Sequence, residues 1–444
     1  MIMSALTTAS AETVLGLRAS DGAAPSGLQA LRATALERVR KTGLPARKHE
    51  AWKYMRLESF WAQSYVKPSS RKVPDFIAAR HVASNCLFFV NGFYRPEISR
   101  LHRVPPGFEA GVISDADQTL FPAFSAAMER ALDCEQNVFA AANTAGFEEA
   151  FCIRLAKGVV LEDPLYMIHV SLPGEAATAV FHPRIVILLE PGARANIVMD
   201  FVDGAPGPYF MNALVEAHAG PAAVLQSSVI QSQGAQSLQF INQRGFLSRE
   251  ASWDAVSFVQ GGFSRSETKV RFEEPRARAA FYGLSLLSEK AQAFHHLEAD
   301  HMAEDCVSRQ VYKNILSGSA QAEFTSLVHV FEGAKGSDSE QLDRNLLLSP
   351  AARVYSRPQL KIEADEVKAS HGAATGQLEK DELFYLQSRG LSRELARYVL
   401  IYGFAEEILR KIPDVCVRRQ LEELAMSEIR TMMGGPEASW LREV

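Results

Sequence analysis

The chain has 444 residues, 47% of them hydrophobic and 22% charged, with a formal net charge of −5. That length allows two or three domains or one extended core with appendages, and the acidic balance argues against a general nucleic-acid binder, which needs a basic face. The longest apolar runs, such as IVILL at 185–189, fall far short of the roughly 20 residues that a membrane span requires, so no membrane crossing is expected.

The opening MIMSALTTASAETVLG has no basic stretch ahead of an apolar core and carries Glu12. Neither a secretion signal nor a transit peptide is read there, and the cytoplasm is the expected compartment. Next, SGLQALRATALERVRKTGLP predicts a helix with Ser26 as N-cap, apolar Leu28, Leu31, Leu36 and Val39, and Gly43 with Pro45 as the stop. Residues 1–139 are expected to form a mainly helical N-terminal domain. Cys86, Cys134, Cys152, Cys306 and Cys416 are odd in number and never form a CxxC pair, which fits reduced thiols rather than a disulfide framework or a self-contained metal ligand set.

From about residue 140 to 375 helical periodicity gives way to short β-branched and aromatic runs broken by Gly, Pro and Ser, for example RIVILLEPGARANIVMDFV. An Ala-x-apolar unit recurs there as Ala195/Ile197, Ala223/Leu225, Ala251/Trp253 and Ala279/Phe281, each 28 residues after the last, and again as Ala322/Phe324. Residues i and i+2 of a strand share a face, and a fixed period of this size marks a solenoid, so a parallel β-helix is expected over 140–375. After Gly376 the pattern is helical again. LEKDELFYLQSRG ends on Gly390, Ser392 caps SRELARYVLIYGFAEEILRKIP, Pro413 closes it, and VRRQLEELAMSEIRTMM makes a third helix, giving a C-terminal helical domain over 376–444. The fold class is thus an all-β core with α appendages.

No GxxxxGK[ST] loop, GxGxxG, HExxH or GxSxG motif occurs, so nucleotide hydrolysis and dinucleotide binding by the usual devices are not expected. His295, His296 and His301 cluster in FHHLEADH, but in a strand His295 and His296 face opposite sides, which weakens a shared metal site. A carbohydrate-active β-helix would need carboxylates converging on one face. Glu273-Glu274 and Asp300-Glu304-Asp305 are the candidates for that alternative, or else solvated loop residues. At the junction between the β region and the C-terminal helices lies EVKASHGAATGQL, where His371 follows an extended segment and precedes a small-residue turn. Imidazole near neutral pH is a proton acceptor or a metal ligand, or simply a solvated turn residue.

The stretch RNLLLSPAARVYSRPQLKIEADEVKASHGAATGQLEKDELFYLQSRGLSRELARYVLIYGFAEEI, together with CVSRQVYKNIL and the N-terminal RKHEAWKYMRL, resembles the SufB/SufD family of iron-sulfur cluster assembly proteins. The resemblance implies a right-handed parallel β-helix between N- and C-terminal helical domains and a non-enzymatic scaffold subunit that binds no ATP directly. It implies pairing with a SufB-like subunit through the β-helix ends, with a SufC-like ATPase held by the C-terminal helices, and the chain alone could form a homodimer. His371 matches the family histidine thought to meet a partner cysteine where a transient iron-sulfur cluster forms, and imidazole is a credible iron ligand beside thiolates. Ala369 stands where many relatives carry cysteine, which leaves His371 as the ligand from this side. Cys306 lies in a family-like segment, where a small buried hydrophobe is as good a reading as a ligand. A pure structural adaptor for the ATPase, without cluster ligation, is the other reading.

Overall fold

The computed structural model describes residues 8–17, 26–45, 49–55, 57, 63, 65–67, 84–113, 121–133, 137–173 and 178–434. Cys134, Arg47, Lys48 and Arg56 lie outside the described residues.

The described helices are α1 (Thr8–Val14), α2 (Gln29–Thr42), α3 (Phe121–Asp133), α4 (Val138–Gly146), α5 (Lys380–Ser388), α6 (Arg393–Leu409) and α7 (Val415–Met432). The first strands are β1 (Tyr65–Val66), β2 (Asn85–Val90), β3 (Phe93–Tyr94), β4 (Arg100–Leu101), β5 (Phe108–Val112), β6 (Ala150–Leu155), β7 (Leu165–Ser171), β8 (Thr178–Phe181) and β9 (Arg184–Leu189). Then come β10 (Arg194–Asp203), β11 (Tyr209–Ala219), β12 (Val224–Ser232), β13 (Leu238–Leu247), β14 (Ser252–Gln260), β15 (Phe263–Phe272) and β16 (Arg278–Leu287). The last six are β17 (Gln292–His301), β18 (Val307–Leu316), β19 (Gln321–Val330), β20 (Asp338–Leu347), β21 (Arg353–Ile362) and β22 (Lys368–Gly376).

From β9 onward successive strands alternate between two sheets. The first runs β21-β19-β17-β15-β13-β11-β9-β6-β5 and the second β22-β20-β18-β16-β14-β12-β10-β7-β2-β3. Within each sheet the coil strands pair in parallel, so the chain winds as a β-solenoid of about seven turns between residues 165 and 376. The first 139 residues add strands to both sheets as well as helices. There, β2 pairs in parallel with β7, and β5 pairs antiparallel with β6.

The alanine spacing that points to the solenoid is not the repeat that builds it. Ala195 pairs with Leu225, Leu225 with Trp253, Trp253 with Ala279, and Ala279 with Ser308, giving steps of 30, 28, 26 and 29 residues. Ala322 lies in β19, on the opposite sheet from Ala279. What does recur is a corner. Gly192, Ala222, Glu250, Arg276, Asp305, Gly336 and Glu366 all take positive φ, and each is followed by the residue that starts the next ladder. The first six followers, Ala193, Ala223, Ala251, Ala277, Cys306 and Ser337, are buried, and each carbonyl accepts from the strand one coil on, as from Val224 to Ala193 or Asp338 to Cys306; the seventh, Val367 in the last coil, is half-buried. The left-handed residue turns the chain and the small one fits the inside of the bend.

Helix α2 follows the predicted apolar stripe, with Leu31, Ala35 and Val39 buried and Gly43 at its C-cap. Its start differs: a 3-10 turn takes Ser26–Leu28, so Leu28 rather than Ser26 is the N-cap and no side chain caps the helix. Helix α4 lies on the first sheet through a buried ion pair, Arg184 Nη2 to Glu216 Oε1 at 2.7 Å, while Arg184 Nη1 donates to Thr144 Oγ1 at 2.8 Å. The N-terminal HEAWKY residues cross the outer face of the same sheet. Trp52 packs against Phe139 and Phe240, Arg265 stacks 3.8 Å over its ring, Gln321 donates to Tyr54 O, and Tyr54 stacks on Tyr355 of β21 at 3.8 Å.

At the other end, Gly390 ends α5 with positive φ and Ser392 caps α6 by accepting from Leu395 N, both as the sequence predicts. Helix α7 begins two residues before the expected valine, because the Asp414 side chain accepts from Val417 N. Ile401, Ala405, Ile408, Val417, Leu421, Ala425 and Ile429 join one apolar cluster with Val256, Phe258, Leu284, Leu286 and Ile315 of the second sheet. Lys313 Nζ, on β18, donates to Phe404 O at 3.0 Å and pairs with Glu407.

Candidate functional site

His371 lies in β22, and β22 is the terminal strand of its sheet. The expected small-residue turn is absent, since Gly372 to Gly376 continue the strand in register with Leu342 to Leu346. Register decides which way the histidine faces. His371 pairs with Gln341, Gln341 with Gln310, Gln310 with Phe281, and Phe281 with Ala255. All four residues beneath it are buried, so this column runs through the interior of the solenoid, and paired residues of parallel strands share a face. His371 is exposed only because the coil stops there. Its imidazole has no hydrogen-bond or ion-pair partner among the described residues. Ala369 occupies the same face two residues earlier, above Ser339, so a thiol at that position would line the same mouth.

The interior turns polar toward this mouth. The Asp343 carboxylate is fully buried and accepts from Asn314 at 3.3 Å, from Asn345 at 2.8 Å and from the Ser356 hydroxyl of β21. Burial pushes its carboxyl up to about 6, against the pull of the Ser356 and Asn345 hydrogen bonds. Asn345 also donates to Thr375 Oγ1 of β22 at 3.3 Å, so one buried carboxylate ties together the last strands of both sheets. Beside it the Ser326 hydroxyl donates to Gln310 Oε1, and Gln341 Nε2 donates to Ser326 Oγ at 2.9 Å and to Gln359 O at 3.2 Å. None of Gln341, Asp343 or Asn345 stands out in the sequence. Alternating polar residues in QLDRN read as an exposed strand until register puts Gln341 and Asp343 inside.

The other predicted residues do not converge. His295 faces inward, its Nε2 2.9 Å from Ser285 Oγ, and burial lowers it to about 3. His301 also faces inward, onto Ser308 Oγ at 2.9 Å. His296 faces outward as expected, its Nε2 3.4 Å from Glu323. No group of His, Cys, Asp or Glu among the described residues is arranged to hold a metal ion. Glu273 pairs with Arg130, Asp300 lies 3.7 Å from Lys269, and Glu304 and Asp305 stand at a corner, so they form no acid-base pair. Cys306 fills its corner position with Sγ 3.5 Å from the Glu274 and Glu304 carbonyls, and burial pushes its thiol up to about 11, the state of a small hydrophobe rather than a thiolate ligand. A cleft of about 360 Å³ lies under the N-terminal segment, where Arg265 pairs with Glu267, Lys269 with Glu298 and Arg357 with Glu50.

A second surface lies on α5, which buries no residue. Phe384 is 73% and Tyr385 57% exposed, an unusual pair of aromatics to leave in water. Helices α6 and α7 bury most of their apolar residues on the second sheet, although Val399 and Val415 stay exposed, and α5 is left without such cover.

Residues 172–404 match the family profile of the SUF system FeS cluster assembly SufBD core domain, and residues 19–167 that of the SufBD protein N-terminal region. The chain is 29% identical over 394 residues to the iron-sulfur cluster assembly protein SufD of Escherichia coli, covering 87% of this chain and 89% of that protein. It is 27% identical to an iron-sulfur cluster assembly SufBD family protein of Synechocystis, over 86% of each chain. To the chloroplastic protein ABCI7 of Arabidopsis thaliana it is 31% identical, over 67% of this chain and 63% of that one. No described helix is long and apolar enough to cross a membrane.

Proposed function

The chain belongs to the SufBD family of iron-sulfur cluster assembly proteins, and on that premise we propose that it is a non-catalytic scaffold subunit whose open solenoid end pairs with a SufB-like subunit. The cluster is the cargo of this site, and His371 supplies a ligand to it across the interface. The observation that carries the reading is the placing of His371. A free imidazole tops an interior column at a terminal coil, flanked by two edge strands whose backbone groups are open to another chain. A partner strand added to β22 brings its own side chains over the same mouth, so a ligand set shared by two subunits needs no more from this side than one histidine. Ala369 leaves the sulfurs to the partner.

The exposed aromatics of α5 are the proposed seat of a SufC-like ATPase, which supplies the ATP chemistry for which this chain has no phosphate loop. Motion of that subunit opens or closes the shared site by shifting the interface. The test is co-expression with SufB-like and SufC-like chains, purification, and an iron and sulfide assay of wild type and His371→Ala. Because His371 is exposed and packs against little, the variant complex should assemble intact and carry no cluster. A variant that forms clusters at the normal rate reduces the chain to a structural adaptor for the ATPase.

A further inference from the structure

We propose that Gln341 is a positioning residue for His371: once the ring, unpartnered in the structure, turns down onto it, the Gln341 side-chain carbonyl accepts a hydrogen bond from one ring N–H, fixing the tautomer and turning the other nitrogen's lone pair out of the mouth. The inference rests on the reading of His371 as a ligand and adds what orients it. Gln341 stands directly beneath His371 in the β20/β22 register and on the same interior face. Paired residues of neighbouring strands lie about 4.8 Å apart, within reach of an imidazole. Both hydrogens of Gln341 Nε2 are already committed, to Ser326 Oγ and to Gln359 O, so the amide cannot turn over without losing them. Its Oε1, by contrast, is buried and has no partner. A buried acceptor left unpaired is costly, and the one unpartnered side chain above it in the column carries an N–H.

Neutral imidazole has one N–H and one lone pair, and a histidine that binds metal needs its lone pair aimed at the metal. Ligating histidines achieve this by donating the opposite N–H to a fixed acceptor, which sets both tautomer and ring orientation. Gln341 is held for that role by hydrogen bonds to β19 and β21, across the solenoid from His371. A rival donor exists: Gln310 Nε2, one coil below in the same column, is also buried without a partner. If the two glutamines pair with each other, His371 is left free to rotate.

Ring ¹⁵N shifts of the histidine-labelled full-length chain decide between them, read in alkaline buffer where imidazole is neutral, with the His371 signals assigned by their loss in His371→Ala. The expected wild-type spectrum shows His371 in one tautomer. Gln341→Leu should shift the tautomer ratio by roughly five- to tenfold toward that of a free side chain. Gln310→Leu, which removes the rival donor and leaves the Gln341 acceptor in place, should leave the wild-type ratio unchanged. A wild-type His371 already in the free-side-chain mixture overturns the proposal without any variant, as does a ratio that Gln341→Leu does not move. Cluster formation by the His371→Ala complex tests the ligand reading separately, so either can fail while the other stands.

Discussion

Replacing Phe384 by alanine should weaken binding of the proposed ATPase partner without touching the fold. The exposed fractions, 73% for Phe384 and 57% for Tyr385, applied to side chains of about 200 Å², leave about 150 and 115 Å² to be covered by a partner. At about 25 cal/mol per Å² that is worth up to about 3.7 and 2.9 kcal/mol. Binding also orders both side chains and covers them incompletely, so Phe384→Ala should cost about 1.5–3 kcal/mol, roughly 10- to 150-fold in Kd. Tyr385→Ala should cost somewhat less, and the double variant less than the sum, since neighbours share one contact. Titration calorimetry of the purified chain against the ATPase subunit measures this, and thermal unfolding of the same samples should be unchanged because α5 buries nothing. Unchanged affinity in the double variant refutes the docking argument. A fall in unfolding temperature refutes the claim that α5 is spare.

His371→Ala is expected to abolish cluster formation in an intact complex, as set out above. His169 lies between the Phe89 and Phe201 rings, 4.6 Å from each, and burial lowers it to about 3. The unfolded chain takes up this proton near pH 6.5 and the folded chain only near 3, so the contribution of His169 is full above 6.5 and falls by about 1.4 kcal/mol per pH unit below it. His182, His218, His295 and His301 are lowered by burial in the same way, so His169→Phe should reduce the slope in urea titrations between pH 6 and 4 by that one-proton share and leave the rest; an unaltered slope would exclude His169 as a contributor. Gly245→Ala should destabilise by about 1–3 kcal/mol or more, because the new Cβ would fall 2.4 Å from Trp253 Cζ3, a ring fixed by Ser227 and Phe281. A denaturant midpoint equal to wild type would mean the indole can move aside.

The solenoid was legible in the sequence as a class but not as a register. A search at constant period finds Ala195, Ala223, Ala251 and Ala279, yet the true steps vary from 26 to 30 over those coils, so equal spacing mixed two columns, Ala195 with Ala279 and Ala223 with Ala251. The physical invariant is the left-handed corner followed by a small residue, and at Glu250-Ala251 or Arg276-Ala277 no glycine advertises it. Helix ends were easier where chemistry is local: Gly390 and Ser392 do in the structure what their types predict. His371 could be found from its motif, but its inward aim depends on pairing with a strand some 30 residues earlier, which no local pattern encodes. The same holds for Asp343, whose neighbours Asn314 and Ser356 come from separate strands.

Stacked-coil proteins usually close their last coil with a polar cap, because a terminal coil has a neighbour on one side only and frays first. A mouth that receives another subunit, as proposed for this chain, has to stay uncapped. The N-terminal segment acts instead as a lateral brace: Trp52 is rooted among Phe139, Phe240 and Arg265 in the middle coils, and Tyr54 and Glu50 reach Tyr355 and Arg357 on β21. These contacts join residues some 300 positions apart, so the brace seats only after the final coil has formed, late in folding and at the entropic cost of a very long loop. The N-terminal segment thereby holds the exposed edge strand β21 against the middle coils.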